Sequence, residues 1–217
     1  MSPQDQVSGG AILQAAREVV TREAAAVAAV ADQLDTSFAD VVRAILVLHG
    51  KVFTTGAGTS GIIADRMAHL LSVCGTPAVY LPVGDALHGG IGSMTSDDVL
   101  LAISKGGSSA EMVELTQLVV RRGITVVAVT EQADSPFARA ASSVVHLVSR
   151  PADADPGGLI AMASTLAVAA WGDALAVVLM RLRPHSWRDV LDIHPSGMVG
   201  LIRELPEELP PIVEQLA

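Results

Sequence analysis

"AISKGGSSAE", residues 102–111, follows the apolar run Val99-Leu100-Leu101-Ala102-Ile103 and leads into a helical pattern over 109–122. A buried strand that ends in Ser104-Lys105-Gly106-Gly107-Ser108-Ser109 and passes directly to Glu111 brings together three useful properties. The glycines let the backbone turn tightly and approach a ligand without a side chain in the way. The serines offer hydroxyl donors and favour a helix start. The helix N-terminus supplies unpaired N–H groups and the positive end of the dipole. The stretch therefore describes a cradle for an anion, although a capping turn without a ligand would use the same residues.

Around it lie four more apolar runs bounded by turn residues: "KVFTTGA" (51–57), "PAVYLP" (77–82), "TVVAVTE" (125–131) and "SSVVHLVS" (142–149). Helical patterns separate most of them, notably 59–74 and 109–122. Continuous apolar strands alternating with helices indicate an α/β fold with a doubly wound parallel sheet of five strands, covered on both faces. Two Ala-rich or capped helices, 11–34 and 36–50, precede the sheet, and the pattern after 150 is helical again, with an apolar helix over 157–182 and a short one in 186–197. The chain reads as one domain: N-terminal helices 11–50, an α/β core 51–203 and an acidic, Pro-rich tail 204–217. In such sheets ligands gather at the carboxyl ends of strands near the point where strand order reverses. Two Ser/Gly loops stand at such ends, "GAGTSG" (56–61) and "SKGGSS" (104–109), and that pairing strengthens the cradle. The first has Gly56-x-Gly58 without the full dinucleotide spacing, and neither loop ends in the Gly-Lys-Ser/Thr of a P-loop, so nucleotide binding is disfavoured.

Composition narrows the function classes. Half of the 217 residues are hydrophobic but only 3% are aromatic, so stacking platforms for single-stranded nucleic acid are lacking. A net charge of −9 likewise argues against a non-specific nucleic-acid binder, which would carry a basic face. Cys74 is the single cysteine, so no intrachain disulfide or cysteine metal cluster forms, and no compact metal-ligand spacing stands out. "MSPQDQVSGG" has neither a basic region nor an apolar run, and a cytoplasmic protein is expected. The segment 159–180 has the length of a membrane span, yet it contains Asp173 and many small residues; a buried core or interface helix is expected, with Trp171, Met162 and Met180 as packing residues.

"GAGTSG", "DALHGGIGSMTSDDVLLAISKGGSSAE", "GDALAV" and "HPSG" together resemble the sugar isomerase (SIS) domain family, most closely its arabinose-5-phosphate isomerase group, from about residue 11 to 203. The resemblance implies a flavodoxin-like sheet, no cofactor, a small phosphorylated sugar as ligand, and assembly as a homodimer or homotetramer through the outer helices. Many members of that group carry two CBS modules after this domain; the present sequence, ending at 217, is expected to lack them. Matched residue by residue, Ser60, Ser104 and Ser109, with backbone N–H groups of Gly106, Gly107, Ser108 and Ser109, would hold the phosphate. Glu111, His88 and His194 match the family's loop glutamate and its two motif histidines. Two positions depart from the pattern: Thr59 stands where the family commonly has Lys, and Asp153 is the ungapped match to a family Glu. Gly106 also replaces a serine, and Lys105 could restore the charge missing at Thr59.

Aldose–ketose isomerisation moves a proton between C1 and C2 through an enediol(ate). It needs a base at carbon, an acid–base group for the oxygens and a donor or cation for the developing oxyanion. Glu111, His88, His194 and Asp153 can supply the acid–base groups, histidine because it titrates near neutrality. A plainer reading leaves Glu111 as a charge on a helix dipole, His88 as a loop histidine, His194 as a cap or interface group and Asp153 as a solvated acid. The expected activity is phosphosugar isomerisation, of arabinose 5-phosphate and ribulose 5-phosphate; the alternatives are 6-phospho-3-hexuloisomerase and a phosphosugar sensor without turnover.

Overall fold

The computed structural model describes residues 7–212; the first six residues and the last five of the acidic tail lie outside it. Five strands, β1 (Val52–Gly56), β2 (Ala78–Tyr80), β3 (Val99–Ile103), β4 (Thr125–Thr130) and β5 (Ser143–His146), form one sheet. All neighbours are parallel and the order is β2-β1-β3-β4-β5. This is the flavodoxin-like arrangement, and its order reverses between β1 and β3. Gly56 lies opposite Ile103 in the register, so the two Ser/Gly loops leave the sheet side by side.

Every residue of β1 and β3 is buried; β3 reads as an unbroken apolar run, and in β1 the hydroxyls of Thr54 and Thr55 donate to Ala64 O and Leu81 O, each at 2.7 Å. Alternate side chains serve opposite faces: Val99, Leu101 and Ile103 pack with helices α3 (Thr59–Val73) and α7 (Ala163–Leu182), whereas Leu100 and Ala102 pack with α5 (Ala110–Arg121) and α6 (Pro136–Ala140). On the first face Trp171 is buried and meets the Phe38 ring edge-on at 5.8 Å, which docks α2 (Thr36–Leu46) onto α7. Helix α1 (Gly9–Ala28) lies against α7 but buries only Ala26. Two short helices, α4 (Val83–Leu87) and α8 (Trp187–Ile193), complete the set. The segment that follows α8 packs back through Glu208, whose carboxylate accepts from Trp187 N at 3.1 Å.

Three element boundaries differ from those expected. The first helix stops at Ala28 rather than 34, because Gln33 is drawn away to the sheet edge. Its amide donates to Val148 O at 3.0 Å and accepts from Val148 N at 2.9 Å. The same side chain replaces a neighbouring strand at Val148, so β5 ends at His146 instead of 149. The apolar helix expected from 157 begins only at Ala163. Pro156–Gly158 form a 3-10 turn with Gly157 and Gly158 at positive φ, and Met162 is exposed rather than packed. Among the described residues α7 is the one helix long and apolar enough to cross a membrane, but Trp171, Leu175 and Leu179 bury it in the core.

Candidate active site

Two helices start at the carboxyl edge of the sheet beside the switch point without a side-chain cap. In α3 the N-cap position is Gly58, at φ +57, and the first N–H to find a backbone acceptor is that of Gly61, 3.0 Å from Gly58 O. In α5 the N-cap is Ser109, whose hydroxyl makes no capping bond; the first paired N–H is that of Met112, 3.1 Å from Ser109 O. The N–H groups ahead of these, Thr59 and Ser60 in one loop and Ser108 to Glu111 in the other, are free to meet a ligand. Ser109 has the residue type of a cap yet does not cap, which favours the anion cradle over the plain capping turn.

The loops are held in shape by close backbone approach. Gly107 sits at φ +61, and a Cβ there would fall 2.0 Å from Ser135 Oγ; its carbonyl accepts from Phe137 N at 3.1 Å. A Cβ on Gly56 would fall 2.7 Å from the Ser60 carbonyl carbon, so a side chain there would push α3 away from β1. Lys105 is pinned through its carbonyl, which accepts from Glu131 N and Thr130 Oγ1, each at 3.1 Å. Ser104 is buried at the strand end, its N–H on Val129 O at 3.1 Å.

On the α3/α7 side of these loops a pocket opens to solvent. Ser60, Lys105, Thr130, Glu131, Ser164 and Thr165 supply its polar wall. Lys105 Nζ lies 2.5 Å from Asp155 Oδ2, and Asp155 is only 2% exposed. Asp155 Oδ1 accepts from Met162 N at 2.8 Å and Ser164 N at 3.1 Å. Burial alone would raise the Asp155 carboxyl, but the Lys105 ammonium and these backbone donors hold it at about 2.

The expected site residues divide into groups. Gly56, Gly58, Thr59, Ser60, Ser104, Lys105, Gly106, Gly107, Ser108, Ser109 and Glu111 all lie in the two adjoining loops or the first turns of the helices they open. Glu111 is exposed in the first turn of α5. His88 ends α4, which follows β2 at the same edge and packs on α5, with its ring exposed. Asp153 is not brought in. Its side chain is 70% exposed and faces Arg22 of α1 at 3.5 Å. His194 is also elsewhere. Helix α7 carries the chain roughly 30 Å away from the carboxyl edge, to where His185 Nε2 lies 3.2 Å from Val73 O at the end of α3. The seven-residue α8 starts there, and at about 1.5 Å per residue it cannot return His194 to the loops of its own chain. Asp155 and Ser164 were not anticipated. A usable signal existed, since "AMAS" at the start of α7 offers no side chain at its N-cap and needs an acceptor from upstream. Among the described residues no group of three or more His, Cys, Asp or Glu is placed to hold a metal.

A family model described as the SIS domain matches residues 45–178, more than half of the chain. The chain belongs to the SIS domain family. Arabinose 5-phosphate isomerase KdsD of Yersinia pestis is 34% identical over 92% of this chain and 61% of its own length. This SIS chain thus spans about three fifths of the curated relatives it matches. A structure from E. coli CFT073 in complex with arabinose 5-phosphate superposes with a TM-score of 0.83 at 28% identity, covering 87% of this chain and 100% of that one. A Listeria monocytogenes structure provisionally named a sugar-phosphate isomerase also gives 0.83, at 32% identity over 88% and 100% of the two chains.

Proposed function

We propose that this SIS chain is a phosphosugar aldose–ketose isomerase that works through an enediol(ate), with arabinose 5-phosphate and ribulose 5-phosphate as its pair. The observation that carries the reading is the junction of two uncapped helix N-termini at the switch point, with Ser60, Ser104 and Ser109 around them and an acid, Glu111, on the first turn. Such a junction favours a phosphate through its N–H groups and both dipoles, whatever the chain's overall negative charge. The names of the relatives support the same substrate class.

In this mechanism the cradle fixes the phosphate, which spends binding energy on placing C1 and C2 near the carboxylate. Glu111 takes the proton from one carbon and returns it to the other. A second group must move protons between the two oxygens, and of the expected acid–base groups His88 lies at the same edge of the same chain. We place His194 in the site of a second copy of the chain. Assembly as a homodimer or homotetramer is favoured by the bare apolar surface: Ile12, Leu13 and Val20 on α1 are exposed, and Leu159, before α7, is 90% exposed. The reading treats the chain as one SIS unit with α1 and α2 as its N-terminal helices, acting in the cytoplasm without a cofactor.

A phosphosugar sensor is the second reading, and Thr59 favours it, since this exposed residue stands where the family commonly carries a lysine. The test is a turnover assay with ribulose 5-phosphate beside arabinose, ribose and hexulose phosphates. Conversion of the pentose pair supports the proposal; conversion of the hexulose phosphate alone selects 6-phospho-3-hexuloisomerase, and binding of any of them without conversion selects the sensor.

A further inference from the structure

The pocket on the α3/α7 side holds groups that the phosphate cradle does not use. Among the described residues Lys105 is the one basic side chain lining it. Its ammonium rests on Asp155, and Asp155 is itself immobilised by Met162 N and Ser164 N. The carboxylate is thus fixed from three directions, while the lysine side chain remains 35% exposed. An ammonium has three N–H bonds, so two remain available to a ligand or to water. Beside it, Ser164 is 5% exposed. Its hydroxyl stands near enough to Asp155 to favour the carboxylate's charge, yet Oγ has no partner of hydrogen-bond geometry among the described residues. A buried hydroxyl left unpaired is destabilising, and such groups are rare enough to require a reason. A bound ligand oxygen would supply one.

The charge balance indicates which oxygen. Lys105 and Asp155 cancel, and Glu131, on the same wall, adds a negative charge. A phosphate dianion is therefore repelled, whereas a neutral hydroxyl or a carbonyl that gains charge only during reaction is accepted. The pocket also lies across β3 from α5, whose N-terminus forms the cradle. A sugar phosphate anchored there would extend its other end toward Lys105.

We propose that Lys105 and Ser164 bind the carbonyl-end oxygens of the phosphosugar and that Asp155 is the positioning residue that aims the Lys105 ammonium at them. The inference rests on the isomerase reading for its substrate class. In the reaction the ammonium stabilises the oxyanion of the enediolate, a task for which a pre-placed donor is effective because it need not reorganise.

The test compares titrations with inorganic phosphate and with arabinitol 5-phosphate, a polyol phosphate that cannot isomerise. The wild type should bind the polyol phosphate at least about tenfold more tightly than phosphate. Ser164→Ala removes a hydroxyl that supports the Asp155 carboxylate without a full hydrogen bond, so its melting temperature should fall only slightly. It should cut polyol phosphate affinity about three- to tenfold, the usual weight of one hydrogen bond, and leave phosphate affinity unchanged. Lys105→Met should erase the preference and slow C2 proton exchange about 10²-fold, the loss expected for one oxyanion donor. Asp155→Asn should lower exchange while phosphate binding persists, and Lys105→Arg should restore part of what Lys105→Met loses. If the wild type shows no preference, or if Ser164→Ala and Lys105→Met keep it, the proposal is overturned even when isomerisation is seen. A wild type that prefers the polyol phosphate but exchanges no proton would retain this subsite and remove the isomerase reading. Should Lys105→Met fail to fold, Ser164→Ala decides.

Discussion

Helices α5 and α7 both begin at the carboxyl edge of the sheet, and they begin in opposite ways. At α5 the N-cap serine leaves its hydroxyl unused and the first N–H groups open. At α7, which has no side-chain cap of its own, a buried carboxylate seven residues upstream of Met162 closes the first turn. One start is left hungry for an anion and the other has already been given one. In our proposal the phosphate takes the α5 side, and the α7 side is left for groups without full charge. Local sequence does not produce this difference. Serine stands at the start that stays open, and the start that is closed offers only Ala161 and Met162.

The largest effect should come from the open side. Glu111→Gln keeps the size and removes the base, so turnover should fall about 10²–10⁴-fold, the weight of a general acid–base group. Affinity for the phosphosugar should barely move, which steady-state kinetics and calorimetry can separate. An unchanged rate would shift the acid–base assignment to His88 and the α7 side.

The closed side should show itself in stability. Asp155→Ala uncaps α7 and leaves Lys105 without its partner. Breaking a buried pair costs about 3–5 kcal/mol, and the lower end is expected because Lys105 can turn partly to water. Chemical denaturation measures it. The same carboxylate predicts acid lability. Its value of about 2 in the folded protein lies below the 3.8 of a free aspartate, so the unfolded chain binds the proton more readily. The associated stability, about 2 kcal/mol, is therefore present above pH 4 and lost as pH falls from 4 toward 2. Asp155→Asn should flatten that part of the profile.

Smaller effects distinguish a ligand serine from a capping serine. Ser104→Ala should weaken binding of the sugar phosphate by about 1–3 kcal/mol, as for loss of a hydrogen bond to a charged group. Ser109→Ala should change stability by less than about 0.5 kcal/mol, because its hydroxyl caps nothing. Ser135→Ala, whose Oγ does accept from Ala138 N at 3.2 Å, should lose about 1 kcal/mol. Equal losses at 109 and 135 would make the α5 start an ordinary cap and erase the contrast.

The sheet was legible in the sequence because its central strands β1, β3 and β4 are buried almost throughout and their runs need no partner to be recognised. The two open helix starts were legible for a related reason: in each, loop and first helical turn are contiguous, in residues 56–61 and 104–111. What could not be read was contact between distant segments. The choice between Asp153 and Asp155, two residues apart in the same turn, depends on the path of Pro156–Gly158 and on Lys105, fifty residues away. Gln33 ends both α1 and β5 through Val148, 115 positions distant. His194 lay in a motif of the right kind but beyond a twenty-residue helix that takes it to the other edge.

The central claim, that the α5 cradle serves an enediol chemistry and not storage of a ligand, is tested most directly by proton exchange. The wild-type protein is incubated with arabinose 5-phosphate in deuterated water and the C2 position is followed by NMR. The account predicts deuterium at C2, at a rate that Glu111→Gln reduces about 10²-fold or more. Saturating binding with no exchange over hours, unchanged by Glu111→Gln, would contradict it.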